Sequence, residues 1–472
     1  VKVDLCVIGG GSGGLSVAAG ASQMGSSVLL FEGGKMGGDC LNYGCVPSKA
    51  LLAAGKAAHH QTHTAAFGIT PVETPEVDFG KVRDHVRDVI GGIAPHDSVE
   101  RFESLGVRVI EAFAKFVGPR TVEGGGVRVE ARRFVIATGS GPLVPPIAGL
   151  ADTPYFTNET IFENGERPEH LIVVGGGPIG TEMAQAHRRL GSQATILEMA
   201  SILPHDDPDL VAVLRERLTA EGVSIREGVK VVGVAKSASG VTVTIETAKG
   251  EEKIDGSHLL IAAGRKPNLD KLDLEAAGIE YDRRGVKVGD DLVSTNRKVF
   301  AIGDAAGRQQ FTHVAGWHAG VVVRNALFQM RWAKAKDHAV PWVTYSDPEL
   351  AHVGLTEKKA REQFGESVSS VVWKFEENDR ARAERRTEGV IKVVVRKGKP
   401  IGASIVGLNA GDLIYPWVMA VQNGMKMAQI AASIAPYPTL SEVSKRAVGA
   451  YFTPSLFSDR TRKVVRLLAK LG

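Results

Sequence analysis

The feature that most constrains this chain is a strand–glycine–helix–strand pattern near its start. An apolar strand that begins at Asp4 runs into Gly9, Gly11 and Gly14. A helical pattern follows, and a second apolar strand ends at Glu32, 18 residues after the last glycine. In this arrangement the glycines permit a tight turn against a pyrophosphate, and the acid accepts hydrogen bonds from a ribose. The segment therefore predicts a β-α-β unit that binds a dinucleotide.

The same pattern recurs near the middle of the chain. Residues 170–198 contain an apolar strand, the glycines Gly175, Gly177 and Gly180, a helical pattern and a strand that ends at Glu198. The alternative is that both motifs are simply tight turns that bind no dinucleotide. This is disfavoured because strand, helix, second strand and acid occur in the same order in both places. We therefore predict an α/β protein with two Rossmann-like dinucleotide-binding domains.

The rest of the chain indicates how these units are arranged. Its 472 residues predict about three domains. Strands end in Gly- or Pro-rich connections at 137–150, 262–268 and 299–307. Beyond about residue 340 the strands and helices lack a dinucleotide motif, which is typical of an α+β domain. The predicted segments are a first dinucleotide-binding domain at 1–145, a second at 146–265, a return to the first at 266–338 and a C-terminal domain at 339–472.

Composition excludes several other classes of protein. The 57 basic and 53 acidic side chains leave a net charge of +4, which is too small to indicate nucleic-acid binding. The sequence has no apolar run of 18 residues, so no integral membrane segment is expected. The first ten residues lack the basic start and long apolar core of a signal peptide. We expect a cytoplasmic protein.

The three cysteines are too few for a structural disulfide framework in a chain of this length. Cys6 lies within an apolar strand pattern and is predicted to be a buried thiol. Cys40 and Cys45 flank a turn that contains glycine, and a close pair of this kind in a cytosolic protein is more often catalytic or metal-binding than structural. A structural zinc site would need two further Cys or His ligands, which are absent at zinc spacing, so no metal site is predicted.

The stretch GGDCLNYGCVPSKALL, residues 37–52, resembles the active-site segment of the pyridine nucleotide–disulfide oxidoreductases. The resemblance extends over the chain, because ATGS, AAGRKPN, VFAIGDAAG, FTHVAGWHAG, TYSDPELAHVGLTE and PYPTLSEV follow in the order of that family. It implies that the first unit holds FAD, that the second holds the nicotinamide cofactor, and that the C-terminal domain is a dimerisation domain. It also implies a homodimer in which PYPTLSE of one subunit lies over the disulfide of the other.

The resemblance implies a set of FAD-binding residues. Glu32 would bind the adenosine ribose and Asp304 the ribityl chain, while the segment that starts near His313 would open a helix toward the flavin pyrimidine edge. A positive helix end there would stabilise the anionic reduced flavin. His313 itself is equally well interpreted as a helix-start residue. The complete set is Gly9, Gly11, Ser12, Gly14, Glu32, Gly38, Asp39, Thr138, Gly139, Asp304 and His313.

A second set would hold the nicotinamide cofactor. Its members are Gly175, Gly177, Ile179, Gly180, Glu198 and Gly264. A carboxylate at the position of Glu198 binds a free ribose 2′-hydroxyl and repels a 2′-phosphate, and residues 199–201 supply no arginine. The sequence therefore predicts NADH rather than NADPH.

The resemblance assigns the catalytic roles. Cys40 and Cys45 would form the redox-active disulfide, with Cys45 against the flavin and Cys40 as the exposed thiol that attacks the substrate. A helix that begins near Cys45 would lower the pKa of its thiol. Lys49 would lie near flavin N5 and pair with Glu182, and a surface position for Lys49 is disfavoured because its neighbours are apolar.

The chain departs from the family near its C-terminal end. Most disulfide reductases of this type have a His–Glu pair for proton transfer, whereas this chain has Tyr437 at the His position, with Glu442 retained and Ala435 two residues before Tyr437. A tyrosine of pKa about 10 is a poor general base at neutral pH. Substrates that need no proton on departure, such as a soft metal ion or a disulfide with an acidic leaving thiol, should suffer least.

Several functions remain open at this point. The leading prediction is an FAD-dependent NADH oxidoreductase that reduces a small-molecule or small-protein disulfide, or another thiol-reactive substrate. The alternatives are a dihydrolipoamide dehydrogenase, which Tyr437 opposes, a mercuric-reductase-like metal-ion reductase, which the absence of a C-terminal cysteine pair opposes, and a non-catalytic flavin-binding interaction protein. The basic C-terminal helix is predicted to be solvated, with a partner or acidic lipid as the alternative; its basic residues are Arg460, Arg462, Lys463, Arg466 and Lys470.

Overall fold

The computed structural model describes residues 1–330 and 332–471. The chain forms two compact units. The first comprises Val1–Thr62, Val72–Met199 and Arg226–Lys336, and it contains both glycine motifs. The second comprises His63–Pro71, Ala200–Ile225 and the residues from Asp337 onward. Residues 200–225, which the sequence analysis placed in the second dinucleotide-binding domain, thus belong to the unit that contains the C-terminal domain. The division into four segments stays a prediction.

The described residues form strands and helices throughout both units. The strands are β1 (Lys2–Ile8), β2 (Val28–Glu32), β3 (Val107–Glu111), β4 (Ala114–Gly118), β5 (Thr121–Gly124), β6 (Val127–Ile136), β7 (Ser140–Pro142), β8 (His170–Val174), β9 (Gln193–Glu198), β10 (Val223–Glu227), β11 (Lys230–Ser237), β12 (Gly240–Thr247), β13 (Gly250–Gly256), β14 (His258–Ile261), β15 (Arg265–Pro267), β16 (Tyr281–Asp282), β17 (Gly285–Val286), β18 (Val299–Ala301), β19 (Pro341–Thr344), β20 (Glu349–Gly354), β21 (Val368–Lys374), β22 (Val390–Arg396) and β23 (Lys399–Gly407).

The α-helices alternate with these strands. They are α1 (Ser12–Gln23), α2 (Gly38–Asn42), α3 (Cys45–Thr62), α4 (Phe79–Ile93), α5 (Val99–Ser104), α6 (Pro178–Arg189), α7 (Pro208–Ala220), α8 (Thr312–Phe328), α9 (Glu357–Phe364), α10 (Asp379–Ala383), α11 (Ala410–Leu413), α12 (Tyr415–Gln422), α13 (Met427–Ala432), α14 (Glu442–Leu456) and α15 (Asp459–Leu468).

The first glycine motif belongs to a seven-stranded sheet with β1 at its centre. Strand β1 runs parallel to β2 and β6, and β3 and β18 extend the parallel part. Leu5 and Val7 enter the core on the side covered by α1 and α8, while Cys6 and Ile8 enter the core on the other face. Burial on both faces is characteristic of a parallel sheet in a doubly wound fold. The prediction that Cys6 is a buried thiol is confirmed.

The second glycine motif belongs to a smaller sheet of the same unit. Strands β9, β8 and β14 are parallel, and an antiparallel sheet of β11, β12 and β13 packs beside them. Ile172 and Val243, both fully buried, belong to the core that these strands share. The carboxyl ends of β1 and β8 therefore each lead into a glycine turn and a helix, the edge at which α/β sheets bind ligands.

The second unit contains a five-stranded antiparallel sheet in the order β19-β20-β23-β22-β21. Trp417 of α12 and Phe375 are fully buried in its core. Lys392 of β22 is also buried, and its ammonium group lies 2.8 Å from the carboxylate of Asp207, which caps the N-terminus of α7. This ion pair fixes α7 to the sheet within this unit. The predicted fold class, with two Rossmann-like domains and a C-terminal α+β domain, is confirmed.

Candidate redox and dinucleotide-binding site

The first glycine turn brings backbone against backbone at distances that exclude a side chain. A Cβ on Gly14 would lie 1.9 Å from the carbonyl oxygen of Gly9, and a Cβ on Gly9 would lie 2.3 Å from the carbonyl oxygen of Ala137. Gly9 also has a φ of +111°, which favours glycine. Helix α1 then begins with Gly11 as its N-cap, and no side chain caps the first turn. Its backbone N–H groups can therefore face an anion.

The second turn repeats this geometry. A Cβ on Gly180 would lie 1.9 Å from the carbonyl oxygen of Gly175, and a Cβ on Gly175, whose φ is +114°, would lie 2.3 Å from the carbonyl oxygen of Ala262. Gly177 is the N-cap of α6 and the first turn, which contains Ile179, has no side-chain cap. Both turns thus fit a pyrophosphate for the same reason, because each leads into a helix whose first N–H groups have no side-chain cap.

The two acidic residues lie at the predicted strand ends and face the glycine turns. The Glu32 carboxylate accepts hydrogen bonds from the N–H of Gly10 at 2.5 Å and of Gly34 at 2.6 Å. The Glu198 carboxylate accepts one from the N–H of Gly176 at 2.7 Å. Each acid thus holds its turn, and each remains at the strand end where a ribose would lie.

Residues from distant segments meet beside the cysteine pair. Gly38 packs against Gly11 so closely that a Cβ there would lie 2.8 Å from the Gly11 Cα atom. The next residue, Asp39, lies 3.0 Å from a guanidinium nitrogen of Arg265 and accepts a hydrogen bond from the Asn158 amide at 3.1 Å. Asp39 is therefore held by charge and by hydrogen bonding next to Cys40.

Arg265 also connects this region to Asp304. Its Nε donates to the Ser140 hydroxyl at 2.7 Å, and that hydroxyl donates to the Asp304 carboxylate at 2.5 Å. Burial raises the pKa of Asp304, while the Ser140 hydrogen bond opposes the rise. The sequence did not predict Ser140, Asn158 or Arg265 as site residues, although Arg265 lies in the AAGRKPN segment, which is part of the family resemblance.

The connections around this network place two more predicted glycines. Gly139, with a φ of +66°, accepts a hydrogen bond from the N–H of Asn268, and Gly264, with a φ of +121°, accepts one from Leu143. The paired strands β7 and β15 hold both segments together. Each glycine therefore lies where a strand of one dinucleotide-binding sheet ends.

Two buried polar atoms near these segments have no hydrogen-bond partner among the described residues. They are the hydroxyl oxygen of Thr138 and Nε2 of His318. Nδ1 of His318 accepts a hydrogen bond from the N–H of Gly303 at 3.2 Å, immediately before Asp304. Buried polar atoms of native proteins are normally satisfied. Unpartnered atoms here, together with the uncapped helix α1, fit a polar cofactor such as FAD.

Helix α8 begins at Thr312, close to Cys45. The first turn of α8 has no side-chain cap, so its N–H groups carry the positive end of the helix dipole. His313 is exposed, and its ring stacks on Phe311 with 5.3 Å between the ring centres. This contact fits the interpretation of His313 as a helix-start residue.

Cys40 and Cys45 come together as predicted, but as thiols. Both are free cysteines in this structure, so the predicted disulfide stays a prediction about the oxidised form. Cys45 is the first residue of α3, and its sulfur lies 3.4 Å from the Thr312 hydroxyl. Cys45 is exposed and Cys40 is partly exposed, and their predicted positions relative to the flavin and the substrate stay predictions. The open side of Cys45 is next to the start of α8, where the flavin was predicted.

The two thiols have opposite pKa shifts. A hydrogen bond from Cys40 lowers the pKa of Cys45 to about 6, assisted by the Thr312 hydroxyl and the charge of Lys49, while burial opposes the shift. The same hydrogen bond, together with burial, raises the pKa of Cys40. The reduced pair at neutral pH is therefore a Cys45 thiolate that accepts a hydrogen bond from the Cys40 thiol.

Lys49 and Glu182 form the predicted ion pair. The Lys49 ammonium group lies 2.8 Å from the Glu182 carboxylate, which is buried. The close approach of α3 and α6 makes this possible, because Gly55 of α3 lies against the backbone of Ala186 of α6, where a Cβ would be 3.2 Å from the carbonyl oxygen. Helix packing thus fixes the distance between the thiol-bearing helix and the second dinucleotide turn.

Tyr437 and Glu442 lie in the second unit. Tyr437 is exposed, and its hydroxyl donates to the carboxylate of Asp379 at 3.2 Å. That hydrogen bond raises the pKa of Tyr437 further. Glu442 is the first residue of α14. Asp379 at the start of α10 is therefore the hydrogen-bond partner of Tyr437, and the sequence carried no signal that would have singled it out.

Comparison with known proteins decides the family. The model of the pyridine nucleotide-disulphide oxidoreductases matches residues 3–319, and the model of their dimerisation domain matches residues 340–448. The chain belongs to the pyridine nucleotide–disulfide oxidoreductase family. Members of this family are FAD-dependent enzymes, so the interpretation as a non-catalytic interaction protein is wrong. The dimerisation domain supports a homodimer.

Relatives within the family have different substrates. A dihydrolipoyl dehydrogenase of Thermus scotoductus is 38% identical over 93% of this chain and 95% of its own length. A mercuric reductase of Staphylococcus aureus is 34% identical over 94% of this chain and 81% of its own length. A solved Cu(II) complex of the HOCl-induced flavoprotein disulfide reductase RclA from Escherichia coli is 28% identical, with a TM-score of 0.83 over 93% of this chain and 98% of that one.

Two absences hold for the described parts of the chain. Within residues 1–330 and 332–471, no group of three or more His, Cys, Asp or Glu side chains is placed to hold a metal ion. None of the helices that these residues form is long and apolar enough to cross a bilayer.

The opposite pKa shifts of the thiols can be tested in the two-electron-reduced holoenzyme. Because the pKa of Cys45 is lowered to about 6, the thiolate and its charge-transfer absorbance with the flavin should persist at pH 7 and disappear as the pH falls through about 6. In oxidised Cys40→Ala, where Cys45 cannot form the disulfide and remains beside oxidised flavin, the hydrogen-bond donor is lost and the midpoint should rise. Cys6→Ala removes a buried thiol in the core of the first sheet and should leave the midpoint unchanged. A wild-type midpoint near the ordinary cysteine value, about 8.5, would contradict the assignment.

Proposed function

We propose that the protein is an NADH-dependent, FAD-containing reductase whose Cys40–Cys45 pair reduces a disulfide or another thiol-reactive substrate. The observation that carries this proposal is the position of the reduced pair. Cys45 lies between the start of α8, where the flavin is predicted, and the Lys49–Glu182 ion pair that links α3 to the second dinucleotide turn. We expect the enzyme to be cytoplasmic, in keeping with three cysteines that are too few for a structural disulfide framework.

Residues of the chain would bind the FAD, orient the nicotinamide and stabilise the thiolate. The N–H groups at the start of α1 would bind the FAD pyrophosphate, with Asp304 toward its ribityl chain. FAD, when bound, supplies two-electron exchange between a nicotinamide and a disulfide. Lys49, held by Glu182, would orient the nicotinamide side, and Thr312 would stabilise the Cys45 thiolate by its hydrogen bond.

The thiol chemistry would use the hydrogen bond within the pair. Transfer of the Cys40 proton to the Cys45 thiolate gives a Cys40 thiolate, which attacks one sulfur of the substrate disulfide and releases the first substrate thiolate. Cys45 then gives that proton to the first substrate thiolate and attacks the Cys40 sulfur of the mixed disulfide. The Cys40–Cys45 bond forms and the second substrate thiolate leaves. The two electrons come from one NADH. The pair thereby begins the reaction without an external base.

The proposed preference for NADH rests on Glu198. Its carboxylate lies at the end of β9, held by the N–H of Gly176, where a ribose 2′-hydroxyl would be bound. A 2′-phosphate at the same place would face a like charge, which disfavours NADPH.

Glu198→Gln tests this preference without removing the acceptor that holds the turn. Wild-type enzyme should have the larger kcat/KM with NADH, and the ratio of NADH to NADPH should fall on the order of 10-fold or more in the variant, because the charge is lost. Met199→Ala, a change at the neighbouring exposed residue, should leave the ratio unchanged. A wild-type preference for NADPH would refute the assignment.

The proton-transfer residue limits the choice of substrate. The hydrogen bond to Asp379 raises the pKa of Tyr437, so even less of it is ionised at neutral pH than of an ordinary tyrosine. In the proposed shared active site it would lie over the disulfide of the partner subunit. Lipoamide should therefore be a slow substrate, which opposes the dihydrolipoamide dehydrogenase alternative. Disulfides with acidic leaving thiols should be faster.

Reduction of a soft metal ion is a second candidate. Two adjacent sulfurs, of which Cys45 is the more acidic, suit a thiophilic cation, and departure of the reduced metal needs no proton. The similarity to mercuric reductase over 94% of the chain favours it.

A substrate panel with matched Tyr437 variants separates these functions. NADH oxidation would be measured with lipoamide, with an aromatic disulfide whose thiol is acidic, and with Hg(II) in excess thiol. Tyr437→His should raise the lipoamide rate by roughly 100-fold, the usual contribution of a general base, because a histidine next to Asp379 can hold the proton. Tyr437→Phe should have little effect on that rate. A fast lipoamide rate in the wild type, or no gain in Tyr437→His, would overturn this account of the substrate.

A further inference from the structure

The C-terminal helix α15 has an apolar face that nothing within the described chain covers. Ser458 caps its N-terminus, and none of the residues Asp459–Leu468 is buried. Val465, Leu467 and Leu468 are each 58–62% exposed. A helix of this length without tertiary packing is marginal in water, so an uncovered apolar face indicates a surface that α15 contacts.

The opposite face of this segment is strongly basic. Residues 459–471 contain five basic side chains and one acidic side chain, Asp459, and they therefore supply a charge of +4, which equals the net charge of the whole chain. At 100° per residue, four of the five basic residues fall on one side of the helix and the apolar residues Val464, Leu468 and Leu471 on the other. The four are Arg462, Lys463, Arg466 and Lys470; Arg460 lies on the apolar side, and Leu467 lies between the two sides. The ion pair of Arg462 with Asp459, at 3.8 Å, is loose and exposed.

We propose that α15 binds the surface of an anionic lipid bilayer, with its apolar face among the acyl chains and its basic face toward the headgroups. A short helix with exposed leucines on one face and lysines and arginines on the other has the composition of an interfacial helix. The long basic side chains can reach the headgroups while the leucines remain below them. This role goes beyond the reductase activity and does not depend on it.

A second copy of the chain is the competing occupant of this face. The match to the family's dimerisation domain ends at residue 448, before α15 begins. Symmetric packing of two α15 helices would bring two segments of charge +4 together, which like-charge repulsion opposes. Acidic headgroups instead complement that charge. The charge of the segment thus favours lipid.

The test is sedimentation of the FAD-loaded, full-length protein with vesicles of phosphatidylcholine alone or with added phosphatidylglycerol. Binding should require the anionic lipid and weaken with salt. Removing three charges in R462Q/K463Q/R466Q should reduce partitioning on the order of 100-fold, at roughly fivefold per residue. The matched control K230Q/K236Q/K249Q removes three exposed charges elsewhere and should bind as the wild type does.

A second variant tests the apolar face at constant charge. L467N/L468N changes two exposed leucines, so folding should be unaffected, and vesicle binding should fall about tenfold or more. The proposal is overturned if the wild type binds anionic and neutral vesicles equally, or if the control loses as much binding as the helix variants. It is also overturned if either helix variant dissociates the dimer in sedimentation velocity without lipid, because the face would then be a subunit contact.

Discussion

The close approach of α3 and α6 at Gly55 is the contact on which the site depends. It places Lys49 beside the buried Glu182 carboxylate, and a buried charge without that partner would cost several kcal/mol. Because α3 begins at Cys45 and α6 begins at the second glycine turn, one packed pair of helices connects the thiols to the proposed nicotinamide site. The glycine turns need this rigidity, since each works only when two backbone segments are held at a distance that excludes a Cβ.

In the proposed reaction, the Cys40–Cys45 pair would handle most of the proton transfer, and Tyr437 would handle little of it. Cys45 is acidic because Cys40 donates to it, so the pair stores one proton internally. Tyr437 would contribute little as a base, because its hydroxyl keeps its proton and donates it in a hydrogen bond to Asp379. The proposed design would suit acceptors whose leaving group needs no proton, a property that acidic disulfides and soft metal ions share.

The sequence predicted the short local motifs well and the contacts between distant segments poorly. Both glycine turns, the acids that end their strands and the ion pair of Lys49 with Glu182 were predicted, because each follows from short motifs or from the family resemblance. The contacts of Arg265 with Asp39 and Asp304 were missed, since they join segments far apart in the chain. Hydrophobic periodicity predicts the type of secondary structure and its buried face, but it does not predict which polar side chains contact each other. The roles of Cys45 against the flavin and of Cys40 toward the substrate stay predictions.

The central claim is that electrons from NADH pass to the Cys40–Cys45 pair. Its most direct test is anaerobic addition of about one equivalent of NADH to the oxidised holoenzyme, followed by thiol counting under denaturing conditions and a flavin spectrum. The account predicts about two new thiols per subunit while the flavin remains oxidised. Cys45→Ala should gain none, and its flavin should be reduced instead. Reduced flavin without new thiols in the wild type would contradict the account.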